Sequence, residues 1–339
     1  MSAVPARAPA APQPPRHSPR RAGLNARHGI WSVWLIGPTI LMLAVVIGYP
    51  VVSAIIQSFQ NDPGLDKATG LFVQGGFAGI ANYTHFLLQQ CKSGAGAIPC
   101  PPGSIGGSFW ASVGNTFFFG VVTVIIETVL GMWMAIIMNR AFKGRALVRA
   151  AVLVPWAIPT AVTAKLWFFI LAASGILNSI IGSQILWTSD EWPARFAIII
   201  ADVWKTTPFM ALLILAGLQL IPDDVYEAAR VDGATTIQTF FRITLPLVKP
   251  ALMVAILFRL LDALRLYDLP AILTNGGPGN ATTTLSILVV EQIRQGFNAA
   301  SALSTLTFLI IFLVAFVFVR FLGANVVRTQ AAQQKGELR

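Results

Sequence analysis

Eight ionisable residues lie within long apolar stretches of the sequence, where a charged side chain is costly unless it faces protein or water. They are Glu127, Lys165, Asp202, Lys205, Arg259, Asp262, Arg265 and Asp268. The last four alternate in sign at intervals of three residues, so neighbouring positions can form ion pairs along a helix. Because a helix has about 3.6 residues per turn, each step also rotates the position by about 60°, and the four charges do not share one line.

Residue patterns typical of enzymes are absent from the sequence. A phosphate-binding loop ends in Gly-Lys-Ser/Thr, and the nearest Gly-rich stretch, Gly276-Gly277-Pro278-Gly279, lacks the lysine. The sequence contains no nucleophile elbow, no HExxH zinc motif and no catalytic Cys-His arrangement. We therefore predict no catalytic residue, and nucleotide chemistry would require another chain.

The two cysteines, Cys91 and Cys100, lie in a polar, Gly-rich segment. A small-loop disulfide and two reduced thiols are both compatible with so short a pattern. No metal-ligand spacing is present, and the histidines His17, His28 and His85 are not expected to cluster with the cysteines. We predict no metal site.

The composition indicates a protein whose solvent is lipid. Hydrophobic residues make up 55% of the 339 residues and charged residues 11%, against about a quarter charged in ordinary soluble proteins. Apolar runs of about 20 residues cross a bilayer as helices, which close every backbone hydrogen bond internally. Prolines within such runs, here Pro155, Pro159 and Pro208, can kink or break the helix. The sequence predicts an all-α membrane protein with six transmembrane helices, at Trp31 to about Ile56, Trp110–Met138, Ala150–Leu171, Phe196–Leu220, Ala251–Leu273 and Ala302–Val319.

Basic residues alternate between the segments that join these spans. One set of segments contains Arg7, Arg16, Arg20, Arg21, Arg27, Arg140, Lys143, Arg145, Arg149, Arg230, Arg242, Lys249, Arg320, Arg328, Lys335 and Arg339. The other set contains only Lys67, Lys92, Arg195 and Arg294. Because cytoplasmic loops are enriched in Lys and Arg, we expect both termini on the cytoplasmic side of the membrane. The net charge of +10 is dispersed without interleaved aromatic residues, so it does not indicate nucleic-acid binding.

The predicted spans divide the chain into three parts. Residues 1–29, rich in Pro, Ala and Arg, are expected to be a disordered basic cytoplasmic arm. Residues 30–325 form the six-span domain, with an external loop at 57–107 and a cytoplasmic segment at 221–250. Residues 326–339 are a cytoplasmic tail.

The segment between the fourth and fifth spans reads IPDDVYEAARVDGATTIQTFFRITLPLVKP and has the pattern of two short helices with a break. Acidic and hydroxyl residues cap helices, glycine permits a left-handed turn, and proline marks the return into the bilayer. The residues expected to do this are, in chain order, Asp223 or Asp224, Gly233, Thr235 or Thr236, Pro246 and Pro250.

The spacing of Glu227-Ala228-Ala229, Gly233 and Ile243-Thr244-Leu245-Pro246 resembles the EAA loop of permease subunits in bacterial ATP-binding cassette (ABC) importers. In that family the loop is a coupling helix seated in a cleft of the nucleotide-binding subunit. An amphipathic helix lying on the membrane surface is the alternative, but exposed acidic residues fit a protein partner better than an anionic lipid surface. The resemblance implies an ATPase-coupling set of Glu227, Ala228, Ala229, Asp232, Gly233, Leu245 and Pro246.

The same resemblance implies the partners. They are a second homologous permease, two copies of an ATPase subunit that bind ATP and magnesium, and a solute-binding lipoprotein outside the membrane. No cofactor is expected in this chain. The rival functions are an ion-coupled secondary transporter, in which the buried charges relay ions, and a membrane scaffold or channel subunit.

Three further stretches, at 76–87, 258–273 and 273–293, resemble sugar-importing permeases of the maltose/trehalose and glycerol-phosphate type. With its Ala-, Pro- and Arg-rich arm, the chain also resembles the trehalose importers of mycobacteria. The resemblance implies a sugar substrate, with a disaccharide such as trehalose or maltose favoured and a glycerol phosphate as the alternative.

Two interpretations of the polar residues within the spans stay open. In one, they line a path for a sugar, whose hydroxyls need hydrogen-bond partners and whose C–H faces need flat apolar surfaces. In the other, they pair internally and fix the packing of helices, and Lys205 could equally neutralise Asp202. The tentative path set is Asn115, Trp156, Lys205, Thr206, Phe209, Arg259, Asp262, Arg265, Tyr267 and Asp268.

Overall fold

The computed structural model describes residues 24–65, 70–93 and 96–323, and most of these are helical. The helices are α1 Leu24–Leu43, α2 Tyr49–Ser58, α3 Ala81–Leu87, α4 Phe109–Asn139, α5 Arg145–Ala157, α6 Thr160–Ile170, α7 Ile176–Ile181, α8 Glu191–Leu218, α9 Asp223–Val231, α10 Thr236–Thr239, α11 Leu245–Ala263, α12 Asp268–Leu273, α13 Leu285–Ile293 and α14 Phe297–Phe318. Short π-helical turns at Ala44–Gly48, Phe240–Thr244 and Val319–Gly323 adjoin α1, α10 and α14. Two antiparallel hairpins pair β1 (Gly64–Leu65) with β2 (Phe72–Val73), and β3 (Gln90–Ser93) with β4 (Gly96–Pro99).

Five helices in the described ranges are long and apolar enough to span a membrane: Trp34–Ser58, Phe109–Asn139, Glu191–Leu218, Thr236–Ala263 and Phe297–Phe321. A sixth candidate is the pair α5 and α6, which is bent by 89°. The prediction of an all-α membrane protein is confirmed, with six spans when the bent pair counts as one. The arm prediction is wrong at its end, because α1 begins at Leu24 instead of after residue 29. The rest of the arm and the tail at 326–339 lie outside the described residues.

The third and fifth spans differ from the prediction. The third, predicted at Ala150–Leu171 with prolines that can kink or break it, breaks where Ile158 and Pro159 adopt extended backbone conformations. Proline lacks an N–H group and disfavours a helical residue before it, which explains this break. The fifth span begins much earlier than expected and ends at Ala263, so the apolar residues of α12 form a separate helix.

The chain divides into two compact units, one ending at Ser53 and the other beginning at Ala54. The first contains α1, the following π-helical turn and the start of α2. The core of the second is built by α4, α8 and α11, with α5 also packed on α8 and α12 on α6. Glycines permit the close approach of these helices, since a Cβ atom on Gly131 of α4 would lie 2.9 Å from Met210 Cγ of α8. One on Gly217 would overlap Ala251 of α11.

The segment predicted as an external loop is folded over its described residues. Ser58 at the end of α2 hydrogen-bonds the hydroxyl of Tyr83 in α3 at 2.6 Å, and a disulfide joins Cys91 to Cys100 across the second hairpin. His85 Nδ1 lies 3.9 Å from Cys100 Sγ. The expectation that no histidine clusters with the cysteines is therefore wrong for His85, because α3 turns back onto the hairpin. The disulfide occupies both sulfur atoms.

Asp62 of this segment caps the last span. Its carboxylate accepts hydrogen bonds from the backbone N–H groups of Asn298 at 2.6 Å and Ala299 at 3.0 Å, in the first turn of α14. The side-chain amide of Asn298 donates to the carbonyl of Asn61 at 2.8 Å. Two otherwise unpaired N–H groups are satisfied in this way, and the negative charge lies at the positive end of the helix.

Removing this cap should destabilise the protein. Asp62→Ala leaves two N–H groups of α14 without their acceptor, and a lost N-cap costs about 0.5–2 kcal/mol. We expect a lower midpoint of thermal unfolding for the purified protein in detergent. Asp190→Ala is the matched control, because Asp190 precedes α8 without forming a side-chain cap. Equal midpoints for the two variants would contradict the capping role.

Candidate functional site

The segment between the fourth and fifth spans begins with α9, which follows Pro222. Asp223 and Asp224 lie in its first turn without capping it, so the expectation that one of them is the cap is wrong. Their negative charges still favour the positive end of the helix. Pro222 is a suitable residue before a helix, because its fixed backbone angle and missing N–H group cost nothing there.

The turn after α9 has the geometry expected from the sequence. Gly233 has a φ of +74°, in the left-handed region that favours glycine. The N–H of Ala234 donates to the carbonyl of Ala229 at 3.0 Å, and the N–H of Gly233 to that of Arg230 at 3.1 Å. This pair of bonds is a Schellman motif, which closes the helix and fixes the direction in which the chain leaves it.

Thr235 is confirmed as the cap of the second helix. Its hydroxyl accepts from the N–H of Gln238 at 3.3 Å, and the Gln238 side chain accepts from the N–H of Thr235 at 2.9 Å. The expected second short helix is not separate, however. From Thr236 the chain runs through the π-helical turn into α11 and remains helical to Ala263, with Pro246 in the first turn of α11. Pro246 therefore lies inside a continuous helix, where it lacks an N–H group like the one that its neighbour Leu245 donates to Phe240.

The predicted coupling residues of this segment do not all face outward. Glu227, Ala228, Asp232 and Gly233 are exposed, whereas Ala229 is only 5% exposed. Successive residues of a helix point about 100° apart, so the two alanines cannot form one outward face. Leu245 packs against the core of α4, α8 and α11, and Pro246 is exposed.

A groove of about 740 Å³ lies beside α9. The end of α4 contributes Asn139 and Arg140, and α9 contributes Tyr226 and Arg230. Phe240 and Phe241 of the π-helical turn complete the wall. The groove therefore combines cationic side chains with aromatic surface.

A buried ion cluster joins the three core helices. Arg259 of α11 donates through Nε to Glu127 Oε2 of α4 at 2.5 Å and through Nη2 to Glu127 Oε1 at 2.9 Å. The same Nη2 donates to Asp202 Oδ2 of α8. We call these three residues the Arg259 cluster. All are buried: Arg259 is 1% exposed, Glu127 0% and Asp202 4%. The two carboxylates are thus held by one guanidinium.

Two neighbours complete the cluster. Thr206 Oγ1 lies 2.5 Å from Glu127 Oε1 and 2.6 Å from the carbonyl of Asp202, so its hydroxyl donates to one of them at a time. Arg259 Nη1 donates to Asp262 at 3.2 Å, and the side chain of Asp262 is 72% exposed. For Arg259 the internal-pairing interpretation describes the geometry, because its guanidinium is buried and bonded to carboxylates.

Of the four charges that alternate in sign, only the first two, Arg259 and Asp262, pair with each other. Among the described residues Arg265 forms no ion pair with Asp262 or Asp268, because α11 ends before Arg265 and helical spacing no longer applies. Glu127 was recognised as an intramembrane charge but given no role in the sequence-based site. Its partner lies 132 residues away, and no local spacing signal identifies such a pair.

Other predicted path residues bond to backbone groups. Asn115 is buried and donates to the carbonyls of Asn280 at 2.8 Å and Thr283 at 3.0 Å, which holds the 274–284 connection against α4. Lys205 donates to the carbonyl of Ile158 at 2.7 Å. It does not neutralise Asp202 by direct contact, since Asp202 is paired with Arg259. Phe209 stacks on Trp156, with ring centroids 5.7 Å apart.

A second cavity, of about 620 Å³, contains two of the predicted path residues, Arg265 and Tyr267. Ser286 of α13 and Ser304 of α14 add hydroxyl groups, and Phe308 of α14 adds an aromatic surface. We call it the side cavity. The side cavity therefore offers hydrogen-bond donors and acceptors beside apolar walls. Asp268 does not line it and is exposed at the start of α12.

The sequence profile of the family described as "Binding-protein-dependent transport system inner membrane component" matches residues 127–328, which include α8 to α14 and the whole segment around α9. The chain belongs to this permease family. The resemblance drawn from its motifs is confirmed.

Individual relatives cover most of the permease. The trehalose/maltose transport system permease protein MalF of Thermococcus litoralis is 40% identical over 303 residues, covering 88% of this chain and 95% of the relative. The trehalose transport system permease protein SugA of Mycobacterium tuberculosis is 35% identical over 308 residues, covering 90% and 92%. The sulfoquinovosyl glycerol transport system permease protein SmoG of Agrobacterium fabrum is 35% identical over 301 residues, covering 86% and 90%.

Solved structures share the fold of the permease. A chain of a bacterial ABC transporter involved in the import of the acidic polysaccharide alginate has a TM-score of 0.68 at 20% identity, covering 87% of this chain and 97% of that one. A chain of the MetNI methionine ABC transporter in inward-facing conformations has a TM-score of 0.50 at 19% identity, covering 63% and 94%. Identities this low support the fold alone.

Breaking the Arg259 cluster should destabilise the permease severely. Arg259→Met leaves Glu127 and Asp202 buried without a cation, and the loss of one partner of a buried ion pair costs about 3–5 kcal/mol. We expect a large fall in the thermal unfolding midpoint in detergent. Adding Glu127→Gln and Asp202→Asn, which remove the unpaired charges, should recover part of the loss.

Arg265→Met is the control for this prediction, because it removes the same charge from an exposed position without an ion pair. The Arg259 cluster does not stabilise the fold if Arg259→Met and Arg265→Met unfold at the same temperature.

Proposed function

We propose that this permease forms, together with a second homologous permease, the membrane pathway of an ABC importer for a disaccharide. The observation that carries the coupling half of this proposal is the exposed pair Glu227 and Ala228 on α9. The Schellman turn at Gly233 fixes how this short helix ends, so its exposed face is held in one position and can bind a partner. The partner we propose is a separate ATPase, which supplies ATP and magnesium chemistry.

A movement of α9 would reach the fifth span because the chain between them is one continuous helix. Ala229 faces the permease itself, and after the turn the chain runs without interruption from Thr236 to Ala263. A displacement of α9 by closing ATPases therefore acts on the base of the fifth span. Arg259 on that span is bonded to α4 and α8, so the three helices move as one body between inward-open and outward-open states.

The orientation and remaining partners complete the proposal. The distribution of basic residues supports a cytoplasmic position for both termini and α9, with the folded segment at 57–107 on the outside. A solute-binding lipoprotein would deliver substrate to that outer face. A solved alginate ABC transporter in complex with a pentasaccharide-bound periplasmic protein offers a parallel for such delivery. Two ATPase copies would serve the two permeases.

A disaccharide is favoured because two relatives with high coverage are named for trehalose or trehalose and maltose transport. The side cavity fits such a solute, since Arg265, Ser286 and Ser304 can bond hydroxyl groups and Tyr267 and Phe308 can contact C–H faces. The buried members of the path set, Asn115, Thr206 and Arg259, would act by holding helices and loops in place. A glycerol phosphate is the alternative substrate.

Cysteine crosslinking tests the coupling surface. Ala228→Cys should form a disulfide with cysteines introduced on the ATPase, because its side chain is exposed. Ala229→Cys, one residue along and 5% exposed, should not. The two native cysteines are joined to each other and do not compete. Crosslinking of neither variant at any ATPase position, or of both equally, would refute the proposed orientation of α9.

Uptake of a labelled panel tests the substrate. Cells that contain the intact transporter should accumulate trehalose or maltose, and Tyr267→Ala should raise the half-saturating concentration by about tenfold if one stacking and hydrogen-bonding contact is lost. Trp133→Ala, an exposed aromatic position outside both cavities, is the control. Uptake of a phosphorylated polyol with no disaccharide uptake would overturn the substrate choice.

A further inference from the structure

The break in the third span leaves polar backbone groups at membrane depth. Between Ala157 and Thr160, which we call the elbow, the chain turns by 89°. In the described part of the chain, no backbone N–H group donates to the carbonyl of Trp156 or Ile158 across this break. Unpaired carbonyls in a bilayer are costly, so broken helices persist there only where other groups satisfy them.

Lys205 of α8 supplies the missing donor. Its ammonium group donates to the carbonyl of Ile158 at 2.7 Å and lies 3.4 Å from that of Trp156. The charge of the lysine and the two carbonyl dipoles therefore satisfy each other. Each of them would be unfavourable alone within a span.

Phe209 contacts the elbow from the same side. It lies one helical turn beyond Lys205 on α8 and stacks on Trp156 with an angle of 16° between the rings. A polar contact and an aromatic contact, four residues apart on one helix face, thus attach the same short stretch of the third span. Two contacts of different kinds fix both the position and the rotation of the elbow.

The same turn of α8 carries Asp202, which bonds Arg259, and Thr206, which lies within hydrogen-bond distance of Glu127. One turn of α8 is therefore bonded to α4, to α11 and to the elbow. Lys165 of α6 differs in this respect. Its ammonium group lies over Phe168 of its own helix, 5.7 Å from the ring centroid, and joins no second element by that contact.

We propose that Lys205 is a positioning residue that holds the third span bent, so that α5 and α6 follow α8 during the transport cycle. It is not a solute-binding residue. The functional half of this inference rests on the proposed transport function, whereas the structural half concerns only the distance between α5 and α6.

Distance measurements across the elbow test the structural half. Spin labels are attached at Leu147→Cys on α5 and Phe169→Cys on α6, both exposed positions, in the assembled transporter under non-reducing conditions. Cys91 and Cys100 take no label because they are joined. The unaltered permease should give one narrow distance distribution.

Lys205→Met, similar in length but without charge or donor, should increase the population outside that distribution by about tenfold, as expected for the loss of a charge-assisted hydrogen bond. Lys205→Arg, which keeps a cation and donors, should restore the narrow distribution. Lys165→Met should leave it unchanged. A narrow distribution in Lys205→Met, or an equally broad one in Lys165→Met, would overturn the proposal.

Uptake kinetics test the functional half. Lys205→Met should lower the maximal rate by about tenfold and leave the half-saturating substrate concentration unchanged, since Lys205 is assigned no contact with solute. A raised half-saturating concentration at an unchanged maximal rate would refute the positioning role. If the unaltered transporter imports no sugar, the proposed function fails, and the distances still decide whether Lys205 holds the elbow.

Loss of assembly is covered by a second pair of variants. If Lys205→Met does not assemble, Lys205→Gln and Phe209→Leu, which each weaken one of the two contacts, are labelled in the same way. Each should broaden the distribution by less than tenfold, and unchanged distributions in both would overturn the proposal.

Discussion

One guanidinium holds the second, fourth and fifth spans in register. Arg259 bonds Glu127 of α4 and Asp202 of α8 in surroundings that exclude water almost completely. Apolar side chains in a lipid-embedded core gain little from choosing one neighbour over another, because lipid tails are equally apolar. Directional bonds between buried charges do distinguish neighbours, since a shifted register would leave a charge unpaired. The precise arrangement of the three helices therefore depends on this contact more than on the apolar packing around it.

The helix from Thr236 to Ala263 connects Arg259 to the segment around α9. From its start to Arg259 it covers 23 steps, or roughly 35 Å at about 1.5 Å per residue. A continuous helix of that length links the segment around α9 to Arg259, and the π-helical turn, Pro246 and Pro250 are the points at which it can bend. The Schellman turn before it fixes the direction in which the chain leaves α9, and in the proposed coupling mechanism this turn is the joint through which α9 acts on the helix.

Local sequence patterns predicted the elements whose causes are local. Hydropathy predicted the number of spans, and the cap at Thr235 and the left-handed Gly233 follow from residue type at fixed spacing. The bend at Pro159 was visible only as a proline, because an apolar run reads the same whether it is straight or broken. The partners of Arg259, Asn115 and Lys205 lie far away in the chain. A single sequence has no signal for such contacts, so the tentative path set mixed residues that bond internally with residues that line a cavity.

The cap formed by Asp62 on α14 connects two parts of the chain that are 236 residues apart. At about 5–20 residues per second, a ribosome needs roughly 10–50 s to synthesise the stretch between them. During that interval α14 does not yet exist, so the Asp62 carboxylate has no helix to cap. The contact can close only when the last span has been inserted. Its formation therefore requires α14, and a chain truncated before α14 would lack the helix that Asp62 caps.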